Sequence, residues 1–230
     1  AKIVKMTLLL LIISILTVNF ASGTPVNSSD TSPDIAPSIA AASAAYNDPS
    51  QNEIKCSEYS SGWCYLYVYG NKTYYRFTPI ASNASQITHV SLNGRVSILA
   101  DDICTAFPNV VQLHLDYANI DEIQSGALDK CRKVQTIYLG GNNLRDIPRD
   151  TFRYNMELET LHLNSNKLTE INSWLFASLF KLNHLNLYGN YLTQFPAELV
   201  KTNKELRTIN LYQNDILDLD EVKLVGYWPN

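Results

Sequence analysis

From residue 87 onward, an aliphatic pattern in this 230-residue chain returns every 24 residues, and it leaves few folds open. Val110-x-x-Leu113-x-Leu115 is followed by Val134-x-x-Ile137-x-Leu139-x-x-Asn142-x-Leu144 and Leu158-x-x-Leu161-x-Leu163-x-x-Asn166-x-Leu168. Leu182-x-x-Leu185-x-Leu187-x-x-Asn190-x-Leu192 and Leu206-x-x-Ile209-x-Leu211-x-x-Asn214-x-Ile216 keep the register, and an imperfect copy, Ile87-x-x-Val90-x-Leu92, begins 23 residues before the first. A fixed period of this length marks a solenoid, in which each unit buries its apolar side only by stacking on its neighbours.

Positions 4 and 6 of each unit lie on one side of a short strand, so stacking builds a continuous aliphatic row while the intervening residues face solvent. The second half of each unit supplies the other wall, first through Ile123, Ile147, Ile171, Phe195 and Leu219, then through Leu128, Phe152, Phe176, Val200 and Leu224. An Asn at position 9 of such a unit is polar in a buried place, so its amide must satisfy backbone groups of the turn and the neighbouring coil. Asn142, Asn166, Asn190 and Asn214 fit this role, and Ala118 interrupts it. These residues resemble the leucine-rich repeat family over 87–230. The resemblance implies an α/β-type repeat solenoid of about six repeats, a horseshoe with short parallel strands on its concave face.

Upstream of the repeats, the chain divides by composition. Lys2 and Lys5 precede the apolar run Leu8–Leu16, and the small triplet Ala21-Ser22-Gly23 follows, the order of a secretory signal peptide over 1–23. The run is shorter than the roughly 20 residues a membrane span needs, and no later stretch reaches that length. Residues 24–53 hold four Pro, six Ser and six Ala without hydrophobic periodicity and read as a disordered leader. Residues 54–86 read as an N-terminal cap. Trp63–Tyr69 alternates, Gly70-Asn71 can turn, and Tyr74–Phe77 returns, which predicts a β-hairpin with Cys64, Leu66 and Val68 inward and three tyrosines outward.

An exported chain with four cysteines is expected to use them as disulfides, and four permit three pairings. Cys56 and Cys64 stand together in the cap, whereas Cys104 and Cys131 fall late in consecutive repeats and so on adjacent coils. The pairing expected is Cys56 with Cys64 and Cys104 with Cys131. Asn27, Asn71 and Asn83 are sequons for glycosylation. At the other end Trp228-Pro229-Asn230 matches Phe107-Pro108-Asn109, the tripeptide before Val110, which predicts that a further repeat follows a C-terminal truncation.

Strand residues not used for the core line the concave face, where solenoids bind partners. Position 3 contributes His89 and His184; position 5 contributes His114, Tyr138, His162 and Asn186; position 7 contributes Asp116, Asn164, Tyr188 and Tyr212, with Tyr117 at the margin. All four histidines of the chain fall on this surface. A face of Tyr, His and Asn with little charge suits a protein or a glycan. Nucleic acid is excluded as a partner, because 18 Lys+Arg against 22 Asp+Glu offers nothing to neutralise a run of phosphates.

His162 and His184 are diagonal neighbours on adjacent strands, about 7 to 8 Å apart by strand geometry, with no third ligand beside them. No metal or other cofactor is expected; the histidines read as solvated strand residues or as a pH-responsive contact surface. His114 and Asp116 share the face without a Ser or Cys nucleophile, and an open sheet does not exclude water, so no enzyme is expected.

The tyrosine-rich cap, the placement of Cys104 and Cys131, and the phrases Phe107-Pro-Asn-Val-Val-Gln-Leu113 and Ile147-Pro-Arg-Asp-Thr-Phe152 resemble the secreted leucine-rich-repeat immune proteins of mosquitoes. That resemblance implies an extracellular recognition or scaffold protein of innate immunity. Its partner would be a complement-like thioester protein or a related leucine-rich-repeat protein, bound by the concave face or by a region beyond Asn230. The alternative is the truncated ectodomain of a cell-surface receptor or adhesion protein.

Overall fold

The computed structural model describes residues 53–59, 62–68, 76–78, 84–100, 103–195 and 203–216. The expected signal peptide, residues 24–52 of the leader, the sequons Asn27, Asn71 and Asn83, and the terminal tripeptide lie outside the described residues.

Near the N-terminal end of the repeats the chain forms β1 (Glu53–Tyr59), β2 (Trp63–Val68), β3 (Arg76–Thr78) and β4 (His89–Gly94). One strand per repeat then follows: β6 (Gln112–His114), β8 (Thr136–Tyr138), β9 (Thr160–His162), β10 (His184–Asn186) and β11 (Thr208–Asn210). Among the described residues these nine strands make one sheet in the order β11-β10-β9-β8-β6-β4-β2-β1-β3. The repeat strands are parallel and in register, position 3 against position 3 and position 5 against position 5. Short parallel strands linked by long returns follow from the 24-residue period, since each coil must travel back across the core before it can add a strand.

Each repeat strand shows the same alternation, with its middle residue buried and its neighbours half-buried. Leu113, Ile137, Leu161 and Leu185 are fully buried, as are Leu115, Leu139, Leu163 and Leu187 at position 6. Ile123, Ile147, Leu128, Phe152 and Phe176 close the other wall. Two short strands there, β5 (Ile98–Leu99) and β7 (Glu122–Ile123), pair in parallel. Among the described residues the helical content is one turn of α-helix, α1 (Ile103–Ala106), and a 3-10 turn (Ser173–Phe176) whose N-terminus is capped by Asn172.

The asparagine at position 9 satisfies backbone groups on two coils at once. Nδ2 of Asn142 donates to the carbonyls of Leu115 at 2.8 Å and Leu139 at 2.9 Å, and its Oδ1 accepts from Ile120 N–H at 3.0 Å. Asn166, Asn190 and Asn214 repeat the arrangement. Ala118, which has no amide to offer, is fully buried. There the backbone substitutes: its own carbonyl accepts from Val96 N–H at 2.8 Å.

A second polar column was not anticipated from the repeat pattern. Asn155 donates from Nδ2 to Leu128 and Cys131 carbonyls at 3.0 and 2.9 Å, and Asn203 does the same toward Phe176 and Leu179. Cys131 occupies this column one repeat earlier, and its disulfide to Cys104 spans 27 residues, the same step that separates Asn155 from Leu128. A covalent link therefore stands where later coils use a hydrogen bond. The Cα atoms of Cys104 and Cys131 are 5.1 Å apart, and those of the second disulfide, Cys56–Cys64, are 5.4 Å apart.

The cap is built on a β-hairpin, as expected, but β2 takes its antiparallel partner from the residues before it and not from 74–77. β2 pairs antiparallel with β1, placing Cys56 opposite Leu66 and Cys64 opposite Glu58, while β3 lies parallel to β1 on its far side. The reason is that both edges of β2 are already taken. Its other edge pairs in parallel with β4 from Trp63↔His89 to Val68↔Gly94, so residues 76–78 can join the sheet only through β1. Gly94 (φ 131°) is needed for this approach, because a Cβ there would sit against the Val68 carbonyl. Glu53, which composition placed at the end of the leader, opens β1. The inward residues of β2 are Cys64, Leu66 and Val68, all buried.

Candidate functional site

The parallel register brings alternate strand residues of successive coils side by side on the outer face of the sheet, and the side chains there are rings. Trp63 stacks on His89 with centroids 4.5 Å apart and reaches His114 at 5.1 Å. His114 stacks on Tyr138 at 4.6 Å, Tyr138 on His162 at 4.8 Å, and His162 leans against His184 at 5.4 Å. The three stacked steps match the spacing of neighbouring strands, so the rings pile along the solenoid with their faces against one another. What they leave half-exposed is ring edges, although the Nε2 of His114 is itself buried. Trp63 crosses to His114 because the position-5 residue of β4 is Ser91, too small to fill the row.

Beside this row runs a polar one. Asn186 accepts at Oδ1 from Tyr188 N–H at 3.1 Å, which turns its Nδ2 toward Asn164 Oδ1 at 3.4 Å and His162 Nδ1 at 3.5 Å. Asp116 accepts from Gly140 N–H at 3.0 Å. Tyr188 stacks with Tyr212 at 5.9 Å, and Tyr117 is 75% exposed at the margin.

Burial governs the electrostatics. It holds the His114, His162 and His184 imidazoles below their ordinary range, with His89 adding to the effect on His114 and His184 to that on His162. Burial also pushes the Asp116 carboxyl up, against the hydrogen bond from Gly140. Burial thus favours the neutral form of these three imidazoles and of the Asp116 carboxyl alike. The His162 and His184 rings approach more closely than strand spacing alone implies, yet no group of three metal-ligating side chains forms among the described residues.

The structure gathers His89, His114, Tyr138, His162 and His184 into one contact row; Asn164, Asn186, Tyr188 and Tyr212 line its flank, with Asp116 and Tyr117 at the earlier coils. The residue missed by sequence reasoning is Trp63. Its signal was the alternation of the cap strand, which puts Trp63, Tyr65 and Tyr67 on the outer side and so continues the repeat face into the cap.

In comparisons with known proteins, no curated sequence matched. The solved structures include the APL1 leucine-rich repeat domain, with a TM-score of 0.64 and 23% identity over 74% of this chain and 45% of that one. The LRIM1/APL1C complex gives a TM-score of 0.66 at 22% identity, covering 74% of this chain and 33% of that one. Human 5T4 (Wnt-activated inhibitory factor 1, trophoblast glycoprotein) gives 0.58 at 18% identity, covering 76% and 66%. The chain thus spans less than half the length of the first two. The BspA-type leucine rich repeat region matches residues 81–216 in six copies, and the chain belongs to the leucine-rich repeat family.

Proposed function

We propose that this chain is a secreted recognition or scaffold protein of innate immunity that binds an extracellular protein partner through its strand face, without a catalytic step of its own. The observation that carries this reading is the continuous row from Trp63 to His184, a rigid, nearly uncharged surface of aromatic edges held on a solenoid. Preorganised aromatic side chains contribute contact area at low entropic cost, as binding surfaces require. Two disulfides support an extracellular setting. The resemblance to the mosquito immune proteins and the likeness to the LRIM1/APL1C complex support a second leucine-rich-repeat protein as partner, or a complement-like thioester protein.

The test is a direct binding measurement between the purified chain and each of these two candidates. Replacing Tyr138, His162 and Tyr188 together by Ala is expected to weaken binding by about tenfold or more, with the thermal midpoint lowered only slightly. Unchanged affinity would move the site off the strand face, toward the exposed Met156, Trp174 and Phe180. A second reading, a receptor or adhesion ectodomain, draws on the likeness to human 5T4. Recovery of the expressed protein at the cell surface instead of the medium would favour it.

A further inference from the structure

The strand face carries a feature that binding a neutral protein surface does not require. Four imidazoles occur in the chain, and all four lie in one connected row, within ring contact of one another or of a single intervening ring. We propose that this row is a latent anion-binding surface, which takes an extended polyanion of the sulfated-polysaccharide class when the surroundings are acid.

At neutral pH the surface is kept uncharged by its own geometry. The Tyr188 N–H fixes the Asn186 amide so that an N–H group faces His162 Nδ1, which can then only accept. The buried Nε2 of His114 has no hydrogen-bond partner. Acid reverses the situation. Each imidazole that takes a proton becomes a double donor and a cation, in a row where the neighbouring carboxylate, Asp116, is already engaged by Gly140 N–H. The other formal charges nearby, Glu159 and Arg207, precede β9 and β11 on either side of β10 and offset each other. Uncompensated cations 5.4 Å apart, as His162 and His184 become, repel one another and are relieved by an anion that bridges them.

The shape of the row selects the anion. It is linear and crosses the consecutive strands β4, β6, β8, β9 and β10, so a linear polymer can contact several imidazoles at once. Its rings are half-buried among their neighbours, so a flexible chain that follows the row meets more of their edges than a flat bilayer does. Burial lowers the affinity of these imidazoles for protons in the free protein, and a bound anion returns it, so binding and protonation are linked.

The experiment uses a heparin octasaccharide as probe and needs no protein partner. At about pH 5.5, which equals the sequence pI, the chain as a whole has little net charge, so binding reports the local row. Calorimetric titration is expected to show binding there and at least about tenfold weaker binding near pH 7.5, where the imidazoles are neutral. His162→Gln/His184→Gln should lose most of the acid-dependent part while its circular dichroism stays unchanged. Imidazole resonances of His162 and His184 should titrate at higher pH with the octasaccharide than without it. No binding at pH 5.5, equal binding at both pH values, binding retained by the double variant, or binding to phosphatidylserine vesicles in place of heparin would each overturn the proposal. These outcomes leave the protein-partner reading untouched, since that is measured with the Tyr138, His162 and Tyr188 variant at neutral pH.

Discussion

The Oδ1 atom of Asn166 accepts the backbone N–H of Leu144, one coil earlier, at 3.1 Å. The same side chain donates to the Leu139 and Leu163 carbonyls at 2.9 and 3.1 Å, and the residue is 4% exposed. One amide thereby joins two coils in a place that water does not reach. Asn166→Ala leaves a buried donor and two acceptors without it, and is expected to cost about 3 kcal/mol. Urea denaturation with an unchanged m-value checks this, and a loss below about 1 kcal/mol would show that the coils relax to satisfy those groups without the amide.

Cys104 and Cys131 close a far longer loop than Cys56 and Cys64, with sequence separations of 27 and 8. On loop-closure entropy alone, the first bond contributes about 3.5 kcal/mol and the second about 2.5 kcal/mol. The double variant Cys104→Ala/Cys131→Ala is therefore expected to be the less stable of the two disulfide deletions. Cys131 also sits in the column that Asn155 and Asn203 occupy later. Cys104→Ala/Cys131→Asn should accordingly recover part of the loss, by restoring the amide link between coils. Chemical denaturation of the three proteins decides both points, and no recovery by Asn would mean that the first coils pack differently from the later ones.

Tyr117 lies over Gly141, where an added Cβ would fall inside the ring's contact distance. Position 8 is left-handed in five successive coils, at Tyr117, Gly141, Ser165, Gly189 and Gln213, with φ between 54° and 66°. Gly141→Ala and Gly189→Ala therefore incur a similar backbone cost of about 1 kcal/mol. They differ in space: at Gly189 the nearest atom is 3.5 Å away, whereas at Gly141 the tyrosine must leave. Gly141→Ala is expected to destabilise more and to change the environment of Tyr117, read from its ring resonances. Equal stability losses for the two substitutions would contradict this seating.

The repeat register, the two core walls and the position-9 asparagines were legible in the sequence, because each recurs at a fixed step and a buried column tolerates few residue types. The Asn155 and Asn203 column escaped notice because only alternate members are Asn: Cys131 and Leu179 fill the same place by other means. The cap hairpin was legible but its second strand was not, for a different reason. Local alternation identifies a strand but not its partner, and β2 had two edges to fill, one of them claimed by β4 some 20 residues later in the chain. The left-handed position 8 was equally hidden, since Tyr117, Ser165 and Gln213 carry no glycine to mark it. Of the site, the columns could be written down from the register, but the closeness of the rings could not. The row is joined to the cap by Trp63 leaning across Ser91 to His114, which periodicity does not encode.

The acid stability of the fold follows from the same face. His114, His162 and His184 bind protons less readily in the folded chain than at their ordinary value of 6.5, because burial penalises the cation. Below pH 6.5 the unfolded chain takes up protons that the folded one refuses, so stability is complete above that value and declines as pH falls through the lowered folded values. Asp116 has the opposite sign in a lower window. Its carboxyl is raised by burial, so folding is penalised as pH rises above 3.8 through the folded value, and acidification through that window returns some stability. The urea midpoint is expected to stay level from about pH 8 to about pH 7 and to fall between about pH 6.5 and pH 5. His162→Gln/His184→Gln should flatten the slope in the upper window, and Asp116→Asn should leave that window unaltered. A midpoint that rises on acidification from neutral pH, or a slope indifferent to the histidine substitutions, would place the titrating groups elsewhere in the chain.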